Sequence, residues 1–484
     1  MVGLPRTSAR DLSFLIAIAS ALGVGVLTIS RPYVAVAIVL GAALLLVILD
    51  NVRALPLFLL ITMFVESVAL GPGLRIGRVA GVLAVAIVAY YLLEHGHIDL
   101  RPNALLVAIA TFGIWMLLSV YWAGDSGVAF DTVFKYLLAI AYMITFAVLI
   151  RTRAELGTVF MTLSFGALVF GALSFAGYAA SVDVYKISTD PSTLRTTASG
   201  LQGDHNFFAV YQVMALPAAL TAAAISRSAA WRTLYYAVVG AIVLSVAASL
   251  SRTGLVVLGF VVVVTLLTPS RYFFRRIEDK LGYFVVLVVA GMLVAMAGAQ
   301  PFVRRALSIF REHGVSGARG SGRVDLWRAA WHGFREHPFA GLGAGNFRSS
   351  SLDLLQSTPG VNDIAGNTGL SNRYVHNMYL ETLAELGVIG FVLFVVILAL
   401  AAWYLVRVAR RARNARDGVL EKISLALLVT LAALCIAGFF LSLELNKPLW
   451  IVVGLVLAID VMTRKRPLPP AAPAPVSSPA HSRV

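Results

Sequence analysis

Uncharged apolar runs of about 18 residues or more recur through most of this chain, and they constrain it more than any other feature. Such a run crosses a bilayer as an α-helix, because inside lipid only a helix or a closed barrel satisfies its own backbone. A barrel needs segments of about ten residues with strict alternation, and the sequence has none. A large soluble enzyme is excluded as well. Only 13% of the 484 residues are charged and 59% are hydrophobic, whereas soluble domains carry about 25% charged residues. The expected fold is an all-α polytopic membrane protein. Candidate spans lie near 12–30, 33–50, 54–70, 78–94, 103–123, 129–150, 155–181, 206–225, 233–250, 253–269, 282–299, 385–407, 419–441 and 447–463. The third is short, and the two flanking Arg252 can merge or re-enter. The expected count is therefore about twelve to fourteen transmembrane helices.

The net charge of +15 does not point to nucleic acid. The arginines are spread over short loops between spans, the arrangement that sets membrane topology. With Arg6 and Arg10 in the cytoplasm, alternate loops hold Arg53, Arg101, Arg151 with Arg153, and Arg227 with Arg232. Arg271, Arg275, Arg276 and Lys280 follow, then Arg410, Arg411, Arg413 and Arg416. The opposite loops are poor in positive charge, Arg75 and Arg78 excepted. Both termini are thus expected in the cytoplasm. The first run leads straight into a second and lacks a small-residue cleavage site, so it reads as a retained span. Cys435 is the single cysteine, which excludes an intrachain disulfide. The proline-rich stretch after Arg466 reads as a disordered tail.

One long polar segment, from about Pro301 to Gly390, interrupts this pattern. In the expected topology it is non-cytoplasmic, together with the 182–205 stretch and the Ser251-Arg252 turn. Arginines on that side need a reason other than topology. Arg195 precedes a polar, glycine-containing stretch that runs into a span, where Asn206 is a candidate helix cap. Its guanidinium offers a planar fork to an anionic ligand; the plainer reading is an interfacial loop. Arg252 lies between apolar residues, where an arginine is costly and marks function unless it snorkels to the interface. Gly341, Gly343 and Gly345 resemble a phosphate loop but follow no strand and lack its spacing, so they read as turn glycines. Val324 to Phe334 has helical spacing, with Trp327, Ala330, Trp331 and Phe334 on an apolar face. Asp325, Arg328, His332 and Arg335 lie opposite. This is a helix on the membrane surface or packed under the loop, and Arg323 and Arg328 are candidate anion contacts. His376 and Asn377 open a helical stretch in which Glu381 and Glu385 are four apart. A neutral imidazole at this boundary suits proton removal from a sugar hydroxyl. His332 and His337 are five apart and no H-E-x-x-H occurs, so no metal site is expected.

Taken together these residues resemble the O-antigen ligase and polymerase family of bacterial membrane glycosyltransferases. The resemblance is carried by Arg195, Gly200 or Gly203, Asn206 and Ala209, and by the S-R-x-G turn of Ser251, Arg252 and Gly254. It continues through Arg323, Trp327, His337, Pro338, Gly341, Gly343 and Phe347. It ends at His376, Asn377, Tyr379, Leu380, Glu385, Gly387 and Gly390. It implies metal- and cofactor-independent glycan transfer on the outer face of the bacterial cytoplasmic membrane. The implied donor is a glycan on undecaprenyl diphosphate, and the acceptor a lipid or glycan hydroxyl such as that of lipid A-core. Arg195 and Arg252 would bind the diphosphate and His376 would act as the base, with inversion. Arg323, Arg328, Asn206, Asn377 and His205 are further candidate substrate contacts, and His205 is a rival base. The expected organisation is an N-terminal bundle (1–181), central helices with the donor arginines (182–299), a large periplasmic loop with short helices (300–384), C-terminal helices (385–466) and the tail (467–484). A repeat-unit polymerase using the same donor is the sister reading. A transporter of lipid-linked sugars would call for charges inside several spans and for symmetry between halves. Asp131 and Lys135, four apart, instead suit a local ion pair.

Overall fold

The computed structural model describes residues 51–66, 69–71, 74–96, 100, 102–179, 186–187, 197–198, 204–296, 323–359, 361 and 372–465. The expected spans at 12–30 and 33–50, Arg195, and the C-terminal tail lie outside them. Helices dominate: α1 (Leu55–Met63), α2 (Ile76–His95), α3 (Ala104–Leu118), α4 (Ser126–Leu149), α5 (Arg153–Ala179), α6 (His205–Ile225) and α7 (Ala229–Ser249). There follow α8 (Arg252–Leu267), α9 (Ile277–Met296), α10 (Arg323–Glu336), α11 (Asn346–Ser357), α12 (Met378–Asn414), α13 (Gly418–Ala437) and α14 (Lys447–Lys465). Two short antiparallel ribbons, Ala69–Gly71 with Leu74–Arg75 and Lys186–Ile187 with Thr197–Ala198, are the strands among the described residues. Nine of these helices are long and apolar enough to cross a membrane, and the chain is an all-α polytopic membrane protein.

α6 is the axis of the bundle. It packs against α5, α7, α8 and α13, and 94% of its apolar window is buried, against 11% for α9. The small residues of α6, among them Ala215, Ala218, Ala219, Ala222 and Ala223, are all buried and let neighbouring helices approach closely without a hydrophobic drive from lipid. α9 instead exposes Leu281, Phe284, Val285 and Met292, the surface expected where lipid is the solvent.

The charged loops sort to one end. Arg53 pairs with Glu155 at 3.5 Å, Arg153 with Asp417, and Arg413 with Glu421 at 2.8 Å. Lys422 donates to the carbonyls of Arg271 and Phe274, and Arg413 to the Tyr272 hydroxyl. These are the loops that the arginine count assigns to one side. At the other end Arg78, an exception to that count, reaches Asp131 at 3.3 Å, and Lys135 holds the same carboxylate at 2.7 Å.

α12 is 37 residues long and breaks at Gly387 (φ 65°, ψ −170°). The glycine run wraps this break. Leu342 and Gly343 N–H donate to the carbonyls of Ala384 and Glu385 at 3.0 and 2.8 Å, and Val388 N–H donates to Pro338 at 2.9 Å. Trp115 Nε1 donates to the Leu386 carbonyl at 2.9 Å, and Trp122 Nε1 to Ala340 at 3.1 Å. The carbonyls and N–H groups freed by the kink are thereby satisfied, as a buried backbone requires. Gly341, Gly343 and Gly345 all have positive φ, and Gly345 N–H donates to the Glu385 carboxylate at 2.7 Å. The run is a clamp around a helix break, which agrees with its reading as turn glycines.

α10 packs on α11 and α12, which decides between the two placements offered for it. Its buried face is Leu326, Ala329, Ala330 and Gly333, while Trp331 is 49% exposed. The apolar face expected from the sequence is thus rotated. The small residues face the protein, where they let α10 lie close against its neighbours.

Candidate functional site

The N-termini of α6, α8, α10 and α12 gather at the end of the bundle away from the arginine-rich loops. Helix N-termini carry a partial positive charge even where side chains cap them, so together they favour an anionic ligand.

α6 begins with Asp204, whose Oδ1 accepts from the N–H of Asn206 at 2.7 Å and of Phe207 at 3.2 Å. The cap is therefore Asp204, not Asn206 as expected. An acidic side chain of the same length, two residues earlier in extended backbone, is placed to reach the N–H groups of the first turn. Asn206 is left to face its neighbour, and its Oδ1 accepts from the Ser251 hydroxyl at 2.7 Å. His205, the first residue of α6, is half-buried.

The Ser251-Arg252 turn follows from local chemistry. α7 ends with Leu250 in the left-handed region (φ 53°). Ser249 Oγ accepts from Ser251 N–H at 3.2 Å, and Ser251 Oγ caps α8 by accepting from Gly254 N–H at 3.0 Å. Arg252 is the first residue of α8 and is half-buried, so it stands at a helix mouth. A side chain at Gly254 would collide with the Ala209 Cβ. The two motifs 45 residues apart in sequence are thus joined by two contacts, Asn206 with Ser251 and Ala209 with Gly254.

His376 precedes α12, is half-buried and has φ 55°. Asn377 caps that helix: its Oδ1 accepts from Tyr379 N–H at 3.0 Å and Leu380 N–H at 3.1 Å, and the residue is 5% exposed. Trp327 of α10 donates from Nε1 to the Val375 carbonyl at 3.2 Å, and Met378 N–H donates to the Gly438 and Leu441 carbonyls at 2.8 and 3.1 Å. Burial lowers the His376 imidazole to about 4, the Arg323 guanidinium and Arg373 push in the same direction, and Asp204 opposes them. His376 is therefore neutral at pH 7. Arg323 lies within electrostatic reach of it. Arg328, five residues on, faces Asp325 of its own helix at 3.7 Å.

The histidine's charged surroundings are Asp204 on α6, Arg323 on α10 and Arg373 in the preceding loop. This sets a pH test. In Arg323→Gln the imidazole is easier to protonate, so the acid limb of any His376-dependent rate moves to higher pH than in the wild type. A pH–rate profile of the two proteins measures it, and coincident limbs would show that Arg323 does not act on this histidine.

Several polar residues near this end carried no signal in the sequence. Ser442, Glu444 and Asn446 lie in the short turn between α13 and α14. Glu381 bonds the Ser442 hydroxyl. Burial and the carboxylates of Glu381 and Glu385 push Glu444 well above its ordinary range. Asn446 Oδ1 accepts from Tyr211 at 3.4 Å. Lys447 pairs with Glu66 and stands 5.6 Å over the Tyr142 ring. Only the packed bundle brings Tyr211 and Asn446, 235 residues apart, to one place. No group of three or more His, Cys, Asp or Glu with metal-binding geometry occurs among the described residues.

Residues 237–395 match the family model described as O-Antigen ligase. The match runs from within α7 to within α12. It covers Arg252, Arg323 and His376, and it leaves out the N-terminus of α6 and the α13–α14 turn. No curated protein matches the chain.

Proposed function

We propose that this multi-pass membrane chain, whose residues 237–395 match the O-antigen ligase model, transfers a glycan from undecaprenyl diphosphate to an acceptor hydroxyl at the periplasmic face of the cytoplasmic membrane. The observation that carries the reading is the convergence of distant motifs on one end of the bundle. Asn206 bonds Ser251 beside Arg252, and Asp204 at the same helix start lies within electrostatic reach of His376.

The chemistry follows from these groups. The acceptor oxygen attacks the anomeric carbon of the donor from the face opposite the diphosphate. The new C–O bond forms as the bond to the diphosphate oxygen breaks, so the anomeric configuration inverts. The acceptor proton passes to the neutral imidazole of His376 and later to water. The leaving diphosphate gains negative charge. Arg252 neutralises it beside helix N-termini, where low dielectric strengthens the attraction; Arg195, outside the described residues, is the second cation that the resemblance implies. The donor already holds its activation energy in the diphosphate linkage, so this face needs no nucleotide site.

Purified protein with a lipid-linked glycan and a separate acceptor tests the proposal. Glycan moved to the acceptor supports ligation; longer lipid-linked chains would make the protein a polymerase; no transfer of either kind would overturn the assignment. Arg252→Ala is expected to lower kcat/KM by about 10²–10³-fold, as loss of a group that stabilises developing charge does. Arg252→Lys recovers part of it, because a lysine keeps the charge without the fork. For the side of the membrane, a cysteine placed at the exposed Val324 in a Cys435→Ser background should react with an impermeant reagent added from the periplasm. Labelling only from the cytoplasm would remove the donor assignment.

A further inference from the structure

His376 adopts a left-handed backbone conformation (φ 55°). That region is costly for any residue with a Cβ, and a residue stays there only where its surroundings over-determine it. The surroundings here are specific. On one side of His376, the Val375 carbonyl accepts from Trp327. On the other, Asn377 caps α12 and Met378 N–H is held by the Gly438 and Leu441 carbonyls. Glu381 holds this turn from two positions: its N–H donates to the Asn377 carbonyl at 2.9 Å, and its side chain accepts from the Val375 N–H.

Glu381 lies in the first turn of α12 and is 3% exposed. Its carboxylate also takes the Ser442 hydroxyl. From Ser442 the connection continues: its carbonyl accepts from Asn446 Nδ2 at 2.7 Å, and Asn446 Oδ1 accepts from the Tyr211 hydroxyl on α6 at 3.4 Å. One acidic side chain thus ties the histidine's turn to the α13–α14 turn and, through it, to the helix whose cap, Asp204, lies within electrostatic reach of His376. A buried carboxylate is expensive to keep unless its oxygens are used. Both contacts of Glu381 hold backbone or side chains around His376, and neither touches the reacting groups.

We propose that Glu381 is a positioning residue: its buried carboxylate bridges the Val375 N–H and the Ser442 hydroxyl and so fixes the angle at which His376 meets the acceptor hydroxyl. This rests on His376 acting as the base. Ser442 lies outside the segment that matches the ligase family, so this arm of the clamp belongs to the part of the chain that the match does not describe.

The test uses the full chain in nanodiscs, with a lipid-linked glycan as donor and steady-state turnover as readout. Glu381→Ala should lower kcat by about 100-fold, the cost of misplacing a catalytic group by about 1 Å, with the donor KM changed by less than about two-fold. Glu381→Gln keeps the acceptor oxygen and the shape, so it should stay within about five-fold of the wild type on the same scale. Ser442→Ala removes one anchor and leaves the carboxylate in place; kcat should fall by an intermediate factor at unchanged thermal stability. Wild-type turnover in Glu381→Ala overturns the proposal. So does joint loss of activity, donor binding and thermal stability in both Glu381 variants, which would mean that the residue only holds the fold. If Glu381→Ala does not fold, unchanged kcat in Ser442→Ala overturns it. His376→Ala separates the two ideas. Full turnover there removes the base assignment itself. An inactive His376→Ala beside a fully active Glu381→Ala removes only the role of Glu381.

Discussion

Gly387→Ala should prevent the folded protein from accumulating. At φ 65° and ψ −170° the backbone is in a region that only glycine occupies without strain. A Cβ there would also lie 2.7 Å from the Ala340 nitrogen and closer still to the Phe339 carbonyl, so the glycine loop would have to leave the break it wraps. Leaving it would uncover the carbonyls of Ala384 and Glu385 and the N–H of Val388, which now bond across the clamp. Strain together with buried, unpaired backbone groups costs about 4 kcal/mol or more, a large share of the roughly 5–15 kcal/mol typical of a folded domain. Gly418→Ala is the control. Nothing lies within 4 Å of a Cβ there, and the change should stay within about 0.5 kcal/mol. Yield and thermal melting in detergent read both, and a Gly387→Ala protein that melts with the wild type would refute the clamp.

His376→Ala should keep donor binding and lose about 10²–10⁴-fold in kcat, the range that a positioned general base contributes. The folded-state value of about 4 carries two further expectations. In the wild type the acid limb should lie near pH 4, well below the 6.5 of a free imidazole. Stability should move in the same sense. Between pH 6.5 and about 4 the unfolded chain binds a proton that the folded chain refuses, so stability falls as pH drops through that window and levels off below it. His376→Ala removes this contribution. Equal turnover in wild type and variant would take the base assignment away and leave His205 to be tried next.

Much of the architecture was legible because membranes impose a one-dimensional rule. Most apolar runs read as spans reappear as helices where the chain is described, with ends set by caps such as Asn103, Asp125 and Ser228; the run at 54–70 instead gives a nine-residue helix, Leu55–Met63, followed by a short ribbon, and the run at 253–269 a helix of 16 residues. The i,i+4 spacing of Asp131 and Lys135 gave their ion pair. The S-R-x-G motif was visible as a turn. Its purpose was not, because the collision that requires Gly254 involves Ala209, on another helix. Asn206 and Asp204 are both good caps by residue type, and only the backbone angles of the turn decide between them.

Apolar run lengths and charged-loop spacing are local quantities, and they suffice to specify an all-helical membrane chain and to single out Arg252 as a residue that lipid would not tolerate without cause; His376 stood out as an imidazole at the water–membrane boundary and through the family resemblance. Which groups share a site is different. Asn206 against Ser251, Trp327 on Val375, and Glu381 bonded to Ser442 are pairings between segments that the sequence keeps far apart. They exist because α6 is buried at the centre and because α12 breaks at Gly387 and lays its first turns against α10 and the α13–α14 turn. That packing is set by the summed shape of many side chains, a property no single stretch carries.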